Sequence, residues 1–187
     1  MLAGQVSGGD QTIHAPFPRR SFEALVSGLA PWCAAWEELR AVGFDPAEQR
    51  DAWPVAVFQA SVHVVRRHRF GALPEAEGMR QLGHAWAEGL AATPVGEVVV
   101  ASLAGATPEQ AMRRLALHVK VARQDAEIQV EGVAERAWRL RLMQAEPLPE
   151  FNRGAFEALL ARAGNGMRVT VELETRPEQP PSLLVRW

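Results

Sequence analysis

The residues able to do chemistry are few and scattered: five histidines (His14, His63, His68, His84, His118) and one cysteine, Cys33. His84 and Glu88 stand four apart, so on a helix they share a face, and an imidazole beside a carboxylate is the minimum of an acid–base pair. The pair lacks the second histidine of an HExxH zinc helix, and one cysteine cannot assemble the usual cysteine-rich zinc centre. The plainer reading is a partly exposed histidine beside a carboxylate. Cys33 lies beside Trp32 and near Trp36 on an apolar stretch with no histidine close in sequence. A nucleophilic thiol needs a base and a lowered pKa, so Cys33 reads as a buried structural thiol. No serine sits in a GxSxG elbow, and Ser7 to Asp10 matches neither the P-loop nor the dinucleotide fingerprint. No catalytic residue and no metal ligand is assigned, and no cofactor is expected.

Aromatic side chains are the other candidates. The chain has six tryptophans and no tyrosine. Trp86, Trp138 and Trp187 have positions compatible with a helix–sheet interface, where aromatic residues line ligand cavities or simply pack a core. His84, Trp86, Trp138 and Phe156 are therefore the candidate pocket or interface residues.

Composition narrows the setting for these residues. At 187 residues, 48% hydrophobic and 22% charged, the chain suits one globular domain with a proper core. A formal charge of -2 provides no field for nucleic acid or an anionic membrane. A lone cysteine excludes an intrachain disulfide. The first residues show no positive n-region followed by an apolar run, Leu2 is not the glycine of a myristoylation site, and no run is long enough to span a bilayer. A cytoplasmic protein is the expectation.

The elements that must position the candidates follow from periodicity. Residues 1–20, with Gly8-Gly9 and Pro16-Phe17-Pro18, read as an irregular arm that Ile13 and Phe17 could anchor. Phe22, Leu25, Val26 and Leu29 predict a first helix from Ser21. Pro31 opens a second, Trp32 to Val42, presenting Trp32, Trp36 and Leu39, with Gly43 ending it. Phe44 to Asp51 reads as a polar turn. Pro54 opens a helix to Arg69 with a stripe of Val55, Phe58, Val62 and Val65, and its terminal Arg66, Arg67, His68 and Arg69 suit the negative end of the helix dipole. Pro74 opens the helix carrying Met79, Leu82, Trp86 and Leu90. Its internal Gly78, Gly83 and Gly89 each cost about 1 kcal/mol of helix propensity, which suggests close approach of other helices. Val95 to Leu103 reads as a short, largely buried helix. Thr107-Pro108-Glu109-Gln110 has the form of a capping box and begins the next helix, with Met112, Leu115 and Val119.

Near Arg123 the apolar period changes to two. Ala126, Ile128 and Val130, then Trp138, Leu140 and Leu142, predict a hairpin turned at Gly132 with one wet face. Phe151 to Ala163 returns to helical spacing, and Val169, Val171 and Leu173, then Leu183 to Trp187, complete two more strands. The reading is an α+β domain over residues 21–187. A helical block, about 21–122, packs on a four-stranded antiparallel sheet with one late helix in the order β-β-α-β-β, about 123–187.

Arg80-Gln81-Leu82-Gly83, then Trp86, Glu88-Gly89 and Thr93-Pro94-Val95-Gly96, resemble an uncharacterised domain family found mainly in myxobacteria. That family shows an R-x-L-G helix, then E-G, then a T-x-x-G start of an apolar helix. The likeness runs from about Phe22 to Trp187 and includes Pro54, Glu127, Phe151-Asn152-Arg153-Gly154 and the closing Trp187. It departs at Val121-Ala122-Arg123-Gln124-Asp125, where the family often carries a T-G-N-N-Y-like segment. More distantly, the layout looks like a fold shared by haem-NO-binding sensors, vinyl-reductase-type ligand domains and subunits of the Golgi transport-particle complex. The haem sensors' Tyr-x-Ser-x-Arg motif is impossible without a tyrosine, and the cysteine ligands of metal-binding relatives are absent too. The resemblance implies a sensor-like or scaffold-like domain, often paired with itself. Three readings follow. The first is a non-enzymatic interaction or scaffold domain that dimerises, with a protein partner or itself. The second is a sensor holding a small apolar ligand between helices and sheet. The third is a hydrolytic enzyme with an unrecognised site, for which His84 with Glu88 is the candidate pair.

Overall fold

The computed structural model describes residues 16–122, 127–143, 148–163, 168–176 and 179–187. Ile13, His14, the rest of the arm before Pro16 and positions 123–125 lie outside them. Within the described part the expected arm is already regular. Phe17–Pro18 (β1) pairs antiparallel with Ala52–Trp53 (β2), and the first helix, α1 (Arg19–Val26), starts two residues before Ser21. Phe17 is fixed by stacking on Phe58, ring centroids 4.0 Å apart and nearly parallel.

The helical block continues with α2 (Ala35–Ala41), α3 (Val55–Phe70), α4 (Glu75–Ala91), α5 (Pro94–Leu103) and α6 (Pro108–Ala122). The second helix begins three residues later than expected, so Trp32 sits on a turn and is 87% exposed. Cys33 is half-buried beside the core rather than enclosed in it. The segment expected to be a polar turn contributes Phe44, buried between Phe22 and Trp53. Arg67 and His68, in the last turn of α3, reach across to Glu38 on α2. The capping box is complete: the Gln110 N–H donates to Thr107 Oγ1, and the Thr107 N–H donates to Gln110 Oε1.

The three glycines inside α4 each admit a different neighbour. A Cβ on Gly78 would press on Arg66 and the carbonyl of Phe70 at the end of α3. One on Gly83 would collide with the Phe151 carbonyl, and one on Gly89 with the Ala24 carbonyl of α1. Close approach, anticipated from the propensity cost, is their physical reason.

The sheet comprises β3 (Glu127–Ala134), β4 (Ala137–Met143), β5 (Thr170–Arg176) and β6 (Gln179–Arg186), all antiparallel in the order β3-β4-β6-β5. The hairpin does not turn at Gly132. The strand runs on past a register irregularity, and Gly132 pairs with Trp138, whose indole packs on the glycine. In-register partners Val130–Leu140–Leu183 and Trp138–Val185–Val171 place the apolar set on one face. The opposite face is a charge ladder, with Arg139 bound to Glu174 at 2.8 Å and Arg141 to Glu131 at 3.1 Å.

The late helix α7 (Pro149–Ala161) lies between sheet and helical block and is buried on nearly every side, through Phe151, Ala155, Phe156, Ala158, Leu159 and Leu160. Gly154 lets it touch α4, since a Cβ there would collide with the Arg80 carbonyl. Two apolar clusters result, one between sheet, α6 and α7 and one among α1 to α4. Phe151 belongs to the second and bridges to Trp86. Each large side chain taken fully from water there contributes about 1.5–3 kcal/mol. The architecture is the expected α+β one. No described helix is long and apolar enough to cross a membrane.

Candidate functional site

Between the helical block and the sheet the two clusters do not close completely. They leave a cavity of about 220 Å³. The chain enters this region at Phe17, whose stacking on Phe58 sets one wall; Trp86 and Phe151 extend that wall across α4 and α7. Ala155, Phe156 and Leu159, from the apolar side of α7, continue it. Ile128 and Leu142, paired across β3 and β4, form the sheet side. Leu90, Val99 and Leu115 complete the apolar lining, and the exposed Val95 and Val121 stand at its rim. The α5 helix was expected to be largely buried; only Gly96 and Leu103 are, while Val95 and Val99 border this opening and Val98 is exposed.

Polar side chains on the lining are few: Arg20, Ser21, Gln59, His118 and Asn152. Arg20 supplies the charged side chain; it is half-buried and has no hydrogen-bond or ion-pair partner among the described residues. Asn152 follows Phe151 at the start of α7, and its side-chain nitrogen is buried without a partner. His118 on α6 meets Ser102 Oγ through Nε2 at 2.9 Å. The hydroxyl of Ser102 donates to the Val99 carbonyl at 2.6 Å, so the imidazole Nε2 carries the proton and Ser102 accepts it. Trp86 donates its indole N–H to the Ser21 carbonyl at 3.0 Å, which fixes α1 against α4 at the cavity edge.

Of the residues singled out from sequence, Trp86 and Phe156 stand on this lining. His84 does not. It faces Glu157 on α7, 2.9 Å away, whereas Glu88 pairs with Arg162. The i,i+4 spacing allows His84 and Glu88 to meet, but a carboxylate with two arginines around it is the stronger partner. Glu157 accepts from Arg80 at 2.8 Å and from Arg153 at 3.3 Å. Burial works against its charge, yet the hydrogen bonds from Arg80 and His84 outweigh that and hold its carboxyl below the ordinary range. Both carboxylate oxygens are thus occupied, and the cluster reads as a clasp between α4 and α7 rather than an acid–base pair awaiting substrate. Trp138 lies elsewhere too, with the Arg113 guanidinium 5.0 Å from its ring centre. Arg20, His118 and the polar role of Asn152 escaped the sequence reading. Asn152 had a signal, as the uncharged polar residue of Phe151-Asn152-Arg153-Gly154. Among the described residues no group of three or more His, Cys, Asp or Glu could hold a metal ion.

The family model described as "Protein of unknown function (DUF2378)" matches residues 17–187. The chain belongs to the DUF2378 family. No curated protein matches it. Several solved H-NOX structures are similar to this DUF2378 chain. One, concerned with the molecular mechanism of H-NOX activation, is 14% identical with a TM-score of 0.63, covering 91% of this chain and 95% of that one. Another is an oxygen-binding H-NOX domain related to soluble guanylate cyclases, in its oxygen complex, at 15% identity and TM-score 0.61, covering 89% of each chain. A third is an Fe(II) unliganded mutant H-NOX protein from K. algicida, at 9% identity and TM-score 0.60, covering 90% of this chain and 95% of that one. At such identities the likeness is one of fold. The fold that the layout resembled, one shared by haem-NO-binding sensors, vinyl-reductase-type ligand domains and Golgi transport-particle subunits, is consistent with these H-NOX neighbours.

Proposed function

We propose that this DUF2378 domain is a sensor-like module that binds a small apolar ligand in the cavity between its helical block and its sheet. The observation that carries the reading is an apolar-walled cavity of about 220 Å³ between the helical block and the sheet. Tightly packed interiors keep few voids larger than a water molecule. An apolar cavity of about 150 Å³ already accepts benzene. The present one suits a medium alkyl chain or a body of about two rings.

Haem, named for one of the solved neighbours, does not fit the lining as it stands. A macrocycle of that size belongs with pockets at the larger end of about 300–1,000 Å³. His118, the histidine on the lining, has its Nε2 committed to Ser102. Haemin mixed with the protein is therefore expected to give no His118-dependent Soret shift. A shift lost in a His118→Leu variant would replace the present reading with a haem one.

The direct test uses the neutral fluorophore N-phenylnaphthylamine, which brightens in apolar surroundings. Wild-type protein is expected to enhance its emission saturably. Ala155→Phe and Ile128→Trp, which put bulk into the cavity from two different walls, are expected to abolish the enhancement while circular dichroism reports a folded chain. No enhancement with wild type, or equal enhancement with folded filled variants, overturns the reading.

A second reading, self-association, is supported by the exposed Val98 on α5 and the exposed Leu117 and Val121 on α6, 64%, 61% and 75% accessible. Light scattering at micromolar concentration tests it: a strict monomer removes this reading, and a dimer dissolved by Leu117→Asp supports it.

A further inference from the structure

Resting on the self-association reading, we infer that α5 and α6 together form an isologous interface with a second copy of this chain, in which Glu97 pairs with the partner's Lys120 on both sides of a two-fold axis. The apolar part of this face is Val98 on α5 with Leu117 and Val121 on α6, all three exposed. They share one surface because the two helices are joined. The His118 imidazole on α6 meets Ser102 Oγ on α5 at 2.9 Å, and the Arg114 guanidinium donates to the Ser102 carbonyl. Val95 and Val121 are both exposed and both stand on the cavity lining, so the apolar surface runs outward from the cavity mouth. Apolar surface of this kind, continuous and without a cover, marks an interface.

The charges beside the patch say what covers it. Glu97 and Lys120, the only lysine in the chain, are exposed and have no hydrogen-bond or ion-pair partner among the described residues. Arg113, by contrast, is paired with Glu109 at 3.1 Å. At about 100° of helix rotation per residue, Glu97 lies about 140° round α5 from Ser102, and Lys120 about 160° round α6 from His118. The two charges therefore flank the apolar strip, Glu97 at the outer edge of α5 and Lys120 at the outer edge of α6. They also stand at the same end of the helix pair. The helices run antiparallel across a short connection, with Glu97 near the start of α5 and Lys120 near the end of α6. A two-fold axis lying in this face and parallel to the helices turns one edge onto the other at the same height. One protomer's α5 then lies over its partner's α6, the apolar strips meet, and each Glu97 faces a Lys120. A partner of uniform charge would set one of the two against its like. A second copy satisfies both.

A charge swap separates this inference from the reading beneath it. Sedimentation velocity of the full chain at micromolar concentrations reads the dimer. Lys120→Glu and Glu97→Lys each set like charges opposite one another twice. Each is expected to weaken the dimer about tenfold or more, while circular dichroism reports an unchanged fold. The double variant Glu97→Lys/Lys120→Glu restores opposite charges and is expected to return to within about threefold of wild type. If both single variants dimerise as wild type does, or if the double variant stays as weak as the singles, the Glu97–Lys120 pairing is overturned while self-association stands. If the wild type is a strict monomer, the self-association reading fails and takes this one with it. A monomer that co-sediments with phosphatidylglycerol vesicles would give the face to a lipid surface instead.

Discussion

Gly83 on α4 and Gly154 on α7 lie against each other's helix backbones: a Cβ on the first would strike the Phe151 carbonyl, and one on the second the Arg80 carbonyl. Reciprocal contact of this kind sets the helix separation. It thereby sets how far Phe151 and Asn152 stand from Trp86, at the edge of the cavity.

Gly83→Ala and Gly154→Ala are each expected to lower unfolding free energy by about 2–3 kcal/mol, because backbone, unlike a side-chain end, cannot step aside. The double variant should lose less than the sum, since the first clash already opens the crossing. Gly132→Ala is the contrast. Its Cβ would meet the Trp138 ring at 3.4–3.5 Å, an ordinary contact, and the change is expected to stay within about 1 kcal/mol. Urea midpoints at constant m-value decide it, and equal losses at all three sites would contradict the crossing argument.

Glu157 ties Arg80, His84 and Arg153 together, and their hydrogen bonds and charges, outweighing its burial, hold its carboxyl below the ordinary range. A carboxyl lowered in the folded state contributes stability that is present above its unfolded pKa and lost as pH falls through the folded one. Glu157→Gln is expected to cost about 2–4 kcal/mol at neutral pH, because it leaves partly buried cations without their counter-charge. The gap between wild type and variant should close as pH drops below 4.5. Thermal melts across that range check the sign; a gap that stayed constant would sink the assignment.

Ser61 is fully buried in α3, and its hydroxyl has no partner among the described residues. Ser61→Ala removes an unsatisfied polar atom and leaves almost the same shape, so the variant should be more stable by about 1 kcal/mol or equal to wild type. A clear loss of stability in denaturant titration would show that the hydroxyl is satisfied in solution.

Trp86→Phe keeps an aromatic ring near Phe151 but loses the hydrogen bond to the Ser21 carbonyl. The expected cost is about 1–2 kcal/mol, from one lost hydrogen bond and some lost apolar volume. Amide exchange should quicken in α1, the helix this bond secures, and little in the sheet. Uniform quickening would mean that Trp86 supports the whole core instead.

Residues that carried the family resemblance turn out to be joints between helices. Arg80 binds Glu157 and Gly83 admits α7; Gly89 admits α1; Thr93 caps α5 by accepting the Gly96 N–H. Their spacing was legible because a tight crossing needs small or charged residues at fixed helical intervals. The capping box at Thr107 and the alternation of Val130, Leu140 and Leu183 were legible for the same reason, a local rule with a fixed period. Trp32 was misplaced because apolar spacing cannot say where a helix starts within its first turn. Gly132 was taken for a turn because a glycine between two alternating runs reads the same whether the chain bends there or the strand continues through it.

Composition and periodicity by themselves determined the α+β class, the order of helices and strands, and the wet face of the sheet. Each of these depends on neighbours within a few residues along the chain. Tertiary structure alone decided that His84 meets Glu157 rather than Glu88, that Arg20 and Asn152 line one cavity, and that Val95 and Val99 of α5 border its opening. Those partners are brought together by packing around α7, and the free energy that selects them is carried by contacts between residues far apart in sequence.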